Sequence, residues 1–80
     1  MNKKWEKIIK RASEILDIPE NDKNLLECWN TVGTENFNAE LTDEAWTYGL
    51  VAEYAFIAGM FETWKEYQVK FNQEILKGGK

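Results

Sequence analysis

The sequence predicts an all-α fold: a small helical bundle of two short helices packed on one long C-terminal amphipathic helix, completed by homodimerisation. Two observations point to helices. Apolar residues recur at intervals of three and four along most of the chain, which is the repeat of one helix face. Residues that begin and end helices stand at the borders of these stretches. We expect a single domain spanning residues 1–80.

The first predicted helix covers residues 3–17. It ends before Pro19, because the residue that precedes a proline is displaced from the helical region. Charged residues occupy the face opposite its apolar stripe. The stripe consists of Trp5, Ile8, Ile9, Ala12, Ile15 and Leu16.

The second predicted helix covers residues 21–32. Asn21 or Asp22 is expected to cap its start, and Gly33 is expected just past its end. An extended conformation at Thr31 and Val32 is the alternative. Residues 33–41 are predicted to form a loop that Phe37 anchors in the core. The inward residues of this helix are Leu25, Leu26, Trp29 and Val32.

The third predicted helix is long and covers residues 42–77. Thr42 is the expected N-cap, and Gly78 with Gly79 follows the last turn. At 1.5 Å per residue this helix would be roughly 50 Å long, longer than an 80-residue globule is wide. Three outcomes are therefore expected as alternatives. The helix protrudes from the globule, it bends, most favourably at Gly59, or it packs along a second copy of itself.

The long helix has two apolar faces in its N-terminal half. One is a heptad stripe that continues along the whole helix: Trp46, Leu50, Glu53, Ile57, Met60, Trp64, Tyr67 and Phe71. The other is a face of small residues: Val51, Ala52, Ala55, Ala58 and Gly59. Small residues allow a close helix approach, and we expect three helices to be too few to cover both faces. The small-residue face is therefore the predicted homodimer contact, and coverage by the first two helices is the alternative.

Composition predicts a cytoplasmic protein that does not enter a membrane. Cys28 is the only cysteine, so no internal disulfide is possible and a reducing compartment is expected. The N-terminus lacks the apolar core of a secretory signal. The apolar run at 45–61 is interrupted by Glu53 and is shorter than the ~20 residues that span a bilayer. Abundant lysine and asparagine suggest a low-GC bacterium or one of its phages.

The net charge of −4 conceals an acidic middle between two basic ends. Residues 12–62 contain eleven acidic side chains and a single base, Lys23. Four acids near the start of the long helix form a candidate surface for a basic partner or a mimic of nucleic-acid phosphates. The alternative is an ordinary solvated surface. The four are Glu35, Glu40, Asp43 and Glu44.

The basic face of the first helix is an alternative functional surface that would contact nucleic-acid phosphates. No helix-turn-helix, zinc or RNA-recognition signature accompanies it, and the chain as a whole is acidic. A solvated face, or one paired with the acidic middle, is the simpler interpretation. The residues are Lys3, Lys7, Lys10 and Arg11.

Glu53 is the candidate buried polar residue, since it interrupts the heptad stripe where a bare carboxylate would be costly. It would act as a general base, bind a basic residue or set specificity in a dimer. The structural alternative is a hydrogen bond to a tryptophan or tyrosine, or access to solvent at the edge of the stripe.

No catalytic, cofactor or metal motif is expected. The chain has no histidine to activate Cys28 and too few thiolates for zinc. An enzyme that pairs Glu53 with Tyr48 or Tyr54 is the least favoured hypothesis. The sequence thus predicts a non-enzymatic module that binds a larger protein through its acidic middle, as an inhibitor or accessory factor. A phage-encoded mimic of nucleic acid is one specific version of this hypothesis. A dimeric nucleic-acid-binding regulator and a structural assembly protein are the alternatives.

Overall fold

The computed structural model describes residues 3–36 and 40–79, which fold into four helices without a strand. The prediction of an all-α fold is confirmed for these residues. Phe37, the expected anchor of the loop, lies outside them. The helices are α1 (Lys3–Leu16), α2 (Lys23–Glu35), α3 (Asp43–Ile57) and α4 (Phe61–Gly79).

Helix α1 ends in a left-handed turn at Asp17, whose φ is +58°. The N–H of Ile18 donates to the Ser13 carbonyl at 3.0 Å, and the N–H of Asp17 donates to the Glu14 carbonyl at 3.4 Å. These two bonds form a Schellman motif, which satisfies carbonyls that the last helical turn leaves free. Pro19 follows directly, where a helix cannot continue.

Helix α2 begins as predicted but ends later. The Asp22 carboxylate caps it by accepting the Leu25 N–H at 3.0 Å. The expected end at Gly33 is wrong, because Gly33 lies within the helix and its φ is not positive. Asn36 closes the last turn instead, since both its backbone N–H and its side-chain amide donate to the Val32 carbonyl. The extended alternative for the end of this helix is also wrong.

The predicted long helix over residues 42–77 is wrong as a single element, although both of its ends are close to those predicted. Thr42 caps its start by accepting the Ala45 N–H at 3.0 Å. The helix then breaks at Gly59, whose φ is +76°. The Met60 N–H donates to the Ala55 carbonyl at 2.8 Å, and the Gly59 N–H donates to the Phe56 carbonyl at 3.3 Å. A second Schellman motif therefore ends α3 at the position favoured for a bend.

The break lets α4 fold back along α3. The largest dimension of the fold is 34 Å, well short of the roughly 50 Å expected of an unbroken helix. Helix α3 is central: α1, α2 and α4 all pack on it, and in the described part of the chain α4 packs on α3 alone. A helix surrounded in this way explains why the N-terminal half of the predicted long helix is apolar on all sides.

The predicted dimer face lies mostly inside the fold of a single chain. Val51, Ala52 and Ala55 are buried, whereas Ala58 and Gly59 are exposed in the turn. The close approach expected of small residues occurs instead between α3 and α4. A Cβ atom placed on Gly49 would lie 3.0 Å from the Phe71 ring. The break supplies a fourth helix, which the prediction of a dimer from three helices did not take into account.

The core lies between α1, α2 and α3. Three tryptophans line up across these helices: the ring centroids of Trp5 and Trp29 are 5.8 Å apart, and those of Trp29 and Trp46 are 5.4 Å apart, both edge to face. Edge-to-face aromatic pairs add to the stabilisation from buried area. The buried cluster consists of Ile8, Ile9, Ala12, Leu16, Leu25, Cys28, Leu50 and Val51.

The turn at Gly59 can be tested with a matched pair of substitutions. We expect Gly59→Ala to lower the free energy of unfolding by about 1–2 kcal/mol, because alanine is strained at positive φ. We expect Gly33→Ala to raise it by about 0.5–1 kcal/mol, because alanine suits a helix interior better than glycine. A Cβ atom meets nothing within 4 Å at either site, so the backbone alone separates them. Urea unfolding followed by circular dichroism measures both, and effects of the same sign would contradict the assignment.

Candidate functional site

The four predicted acidic residues do not share one surface. Asp43 and Glu44 line a groove between α1 and α3 together with Lys7 and Arg11. Glu35 lines a different depression, which shares no residue with that groove. Glu40 is exposed and lines neither of the two. The acidic middle of the sequence is therefore divided in space.

The groove between α1 and α3 brings the two predicted charged surfaces together. Lys7 and Arg11 lie across it from the first turn of α3, and the Lys4 Nζ is 3.6 Å from the Asp43 Oδ1. Exposed ion pairs of this kind stabilise a protein by less than about 1 kcal/mol, but they do balance the local charge. The four candidate phosphate contacts, Lys3, Lys7, Lys10 and Arg11, are all exposed on α1.

A second depression separates the end of α2 from α4, over the surface of α3. It has a volume of about 320 Å³, and we call it the acidic cleft. Glu35 and Glu53 are the ionisable residues that line it. The cleft exists because α2 and α4 both pack on α3 without packing on each other. Its lining comprises Val32, Glu35, Asn36, Gly49, Glu53, Phe56, Trp64, Gln68 and Phe71.

Glu53 is half-buried in this cleft, where burial and then the charge of Glu35 raise the pKa of its carboxyl group. Among the described residues it makes no hydrogen bond to a tryptophan or tyrosine and no ion pair. The carboxylate therefore faces the cleft without a compensating cation from the described part of the chain.

Four large apolar side chains are exposed where α3 turns into α4. The exposed fractions are 53% for Phe56, 62% for Ile57, 38% for Met60 and 56% for Phe61. We call these four residues the corner patch. Exposed apolar residues scattered singly are ordinary, but a concentration of four within six residues is typical of a contact surface.

The corner patch adjoins the acidic cleft through Phe56. The Phe56 ring lines the cleft and packs against Trp64, with 5.6 Å between ring centroids. Sequence reasoning placed Ile57 and Met60 on a buried heptad stripe, which is wrong because the break turns this segment outward. Gly59, the position at which the sequence favours a bend, was the available signal.

Neither a reactive thiol nor a metal cluster is found in the described residues. Cys28 is 1% exposed, and burial raises the pKa of its thiol to about 11, with smaller contributions from Glu53, Glu27 and Asp22. The thiol is thus protonated and sheltered at neutral pH. Across residues 3–36 and 40–79, no group of three potential ligands is placed to hold a metal ion. No described helix is long and apolar enough to cross a membrane.

The comparisons with known proteins identify no relative. No protein-family model matches the chain, and no curated protein or solved structure matches it at a significant level. A functional assignment therefore rests on the surfaces of this molecule.

The burial of Cys28 predicts slow alkylation of the native protein. We expect iodoacetamide to modify Cys28 at a rate set by opening of the fold, because the native thiol is both inaccessible and protonated. Mass spectrometry after timed exposure, with and without urea, measures the difference. Native labelling as fast as that of the unfolded chain would contradict the packing of α2 on α3.

The environment of Glu53 predicts a pH-dependent gain in stability for Glu53→Gln. A carboxyl group whose folded pKa is raised loses stabilisation as the pH rises, because the unfolded state releases its proton first. We expect the variant to be more stable than the wild type at about pH 7, and the difference to disappear below the ordinary pKa of 4.5.

The matched control for this prediction is Glu40→Gln, which removes the same charge from an exposed position. We expect its stability to stay within about 0.5 kcal/mol of the wild type. Thermal melts across the pH range measure both variants. Identical pH profiles for the two would show that Glu53 occupies no special environment.

Proposed function

We propose that this chain is a non-enzymatic protein-interaction module, an inhibitor or accessory factor that binds a larger protein. The proposed contact surface is the corner patch together with the acidic cleft beside it. The observation that carries the proposal is that four large apolar residues, Phe56, Ile57, Met60 and Phe61, are exposed within one six-residue stretch. Burial of apolar and aromatic side chains supplies most of the binding energy at such surfaces.

The shape of the corner supports this proposal. The Schellman bonds at Gly59 fix the backbone of the turn, and Phe56 rests against Trp64. An apolar surface presented on a fixed backbone loses little conformational entropy when a partner covers it. The corner patch is therefore preorganised for binding.

The charge beside the corner indicates the kind of partner. Glu35 and Glu53 lie in the adjoining cleft without a cation from the described residues. Charge complementarity sets orientation and speeds association, so the partner surface is expected to be apolar with a basic border. This revises the predicted acidic surface: Glu35 belongs to the contact, whereas Asp43 and Glu44 adjoin the chain's own bases.

Nucleic-acid mimicry is less well supported than apolar docking. A mimic of phosphates needs an extended surface of uncompensated negative charge. Here Lys7 and Arg11 lie in the same groove as two of the four candidate acids. We therefore propose an apolar contact with an acidic border in place of an electrostatic decoy.

A homodimer is a second proposal, and in this fold it uses the corner patch. Of the described helices, only α3 packs on α4, and none of the described side chains of α4 is fully buried. A second copy docked against the corner would cover both helices at once. A two-fold axis through the patch would make it self-complementary, as in most soluble dimers.

The proposal is tested by the double variant Ile57→Ser/Phe61→Ser, which removes exposed apolar groups and leaves Phe56 on Trp64. The matched control is Val69→Ser/Leu76→Ser, because these residues of α4 are also exposed, by 54% and 77%. We expect the corner variant to lose capture of a stoichiometric protein from a bacterial lysate by at least about tenfold, and the control to retain it. Equal capture by both variants would overturn the proposal.

The same experiment separates the alternatives. Light scattering reports the mass of one chain or two, and a dimer lost only in the corner variant would establish the second copy as the occupant. Nuclease treatment and a salt series report nucleic acid. Capture of nucleic acid alone, released by salt and lost when Lys3, Lys7, Lys10 and Arg11 are changed to serine, would favour the regulator.

A further inference from the structure

We propose that the acidic cleft receives an arginine side chain of the protein that docks on the corner patch. The inference deepens the proposed function and rests on it, since the same partner covers both features. It stands on the shape of the cleft, its aromatic walls and the charge that lines it.

The cleft has the shape of a socket for one side chain. Its sides are the end of α2 and the face of α4, and Gly49 of α3 contributes to its lining without a side chain of its own. The volume of about 320 Å³ lies at the small end of the range for ligand sites. One extended side chain suits this space better than a large organic molecule.

The walls are aromatic. Phe56, Trp64 and Phe71 all line the cleft, and the Phe56 and Trp64 rings lie 5.6 Å apart at an angle of 51°. Because the two rings are inclined, the face of one and the edge of the other can both border the cleft. A cation that contacts an aromatic face gains about 0.5–2 kcal/mol, and arginine makes such contacts more often than lysine does.

The charge in the cleft is uncompensated. Glu35 and Glu53 line it, and among the described residues neither a lysine nor an arginine does. The four ion pairs seen within residues 3–36 and 40–79 involve other carboxylates. Two like charges in a half-closed space repel one another, and a cation placed beside both removes this repulsion.

The combination favours a guanidinium over other cations. Its planar fork pairs with carboxylates through two hydrogen bonds, and its flat face stacks on aromatic rings. An ammonium is more strongly hydrated and loses more on entering such a site. Calcium takes six to eight oxygen ligands, which a cleft with aromatic walls and two carboxylates is poorly suited to supply.

The probe for this site is the blocked peptide acetyl-Gly-Arg-Gly-amide, which carries no charge except its guanidinium. We expect saturable shifts of the Trp64 indole N–H in a nitrogen-15 correlation spectrum, with a Kd on the order of 1–10 mM. The control peptide is the same sequence with citrulline in place of arginine, which keeps the shape of the side chain and removes its charge. It should bind at least about tenfold more weakly, because the charged pairing is lost.

Two charge-matched double variants complete the test. Glu35→Gln/Glu53→Gln should weaken arginine-peptide binding and partner capture by at least about tenfold each, because the cleft loses both charges. Glu40→Gln/Glu44→Gln removes the same net charge outside the cleft and should leave both within about twofold of the wild type. A helical circular dichroism spectrum like that of the wild type and a cooperative thermal transition in each variant show that the fold is intact.

Three results would overturn the inference: no saturable shift with the arginine peptide, equal binding of the citrulline peptide, or equal losses in the two double variants. Its failure is distinguishable from failure of the proposed function. If the corner variant loses the partner while the cleft variants retain it, the arginine site falls and the interaction module stands. If the arginine peptide binds but the corner variant retains the partner, the proposed function falls.

Discussion

The left-handed backbone at Gly59 is the constraint on which the arrangement of this molecule depends. A glycine at this φ allows the Met60 N–H to reach the Ala55 carbonyl, which ends α3 and reverses the chain. Helix α4 then covers the side of α3 where Gly49 admits the Phe71 ring. Without the reversal, an unbroken helix would expose that side of α3 and would need another chain to bury it.

The same reversal produces the surface that we propose for function. Residues at a turn between two packed helices cannot all face the core, and here four large apolar side chains point outward. The backbone hydrogen bonds that stabilise the turn also hold the corner patch in place. Fold and binding surface thus share one local cause, so substitutions at Gly59 are expected to affect stability and binding together.

The positions of the acidic residues matter more in this protein than its net charge. Asp43 and Glu44 lie in the first turn of α3, where negative charge suits the positive end of the helix dipole. They also lie near the basic residues Lys7 and Arg11 of α1. Glu35 and Glu53 share a cleft with aromatic walls, and no cation in the described part of the chain pairs with either. The net charge of −4 therefore does not distinguish the start of α3, where bases lie near the acids, from the acidic cleft.

Local signals in the sequence determined the all-α class, the caps at Asp22 and Thr42, and Gly59 as the position for a bend, because each depends on a few neighbouring residues. The tertiary structure decided the rest. Helical periodicity is the same before and after a reversal, so the pattern could not show that α4 folds back along α3. Gly33 and Gly59 are both glycines, and a glycine accepts either a helical or a left-handed backbone. Only the fold shows that Gly33 lies within α2 and that Gly59 has a positive φ. Glu35 and Glu53 lie on different helices, and packing alone brings them into one cleft.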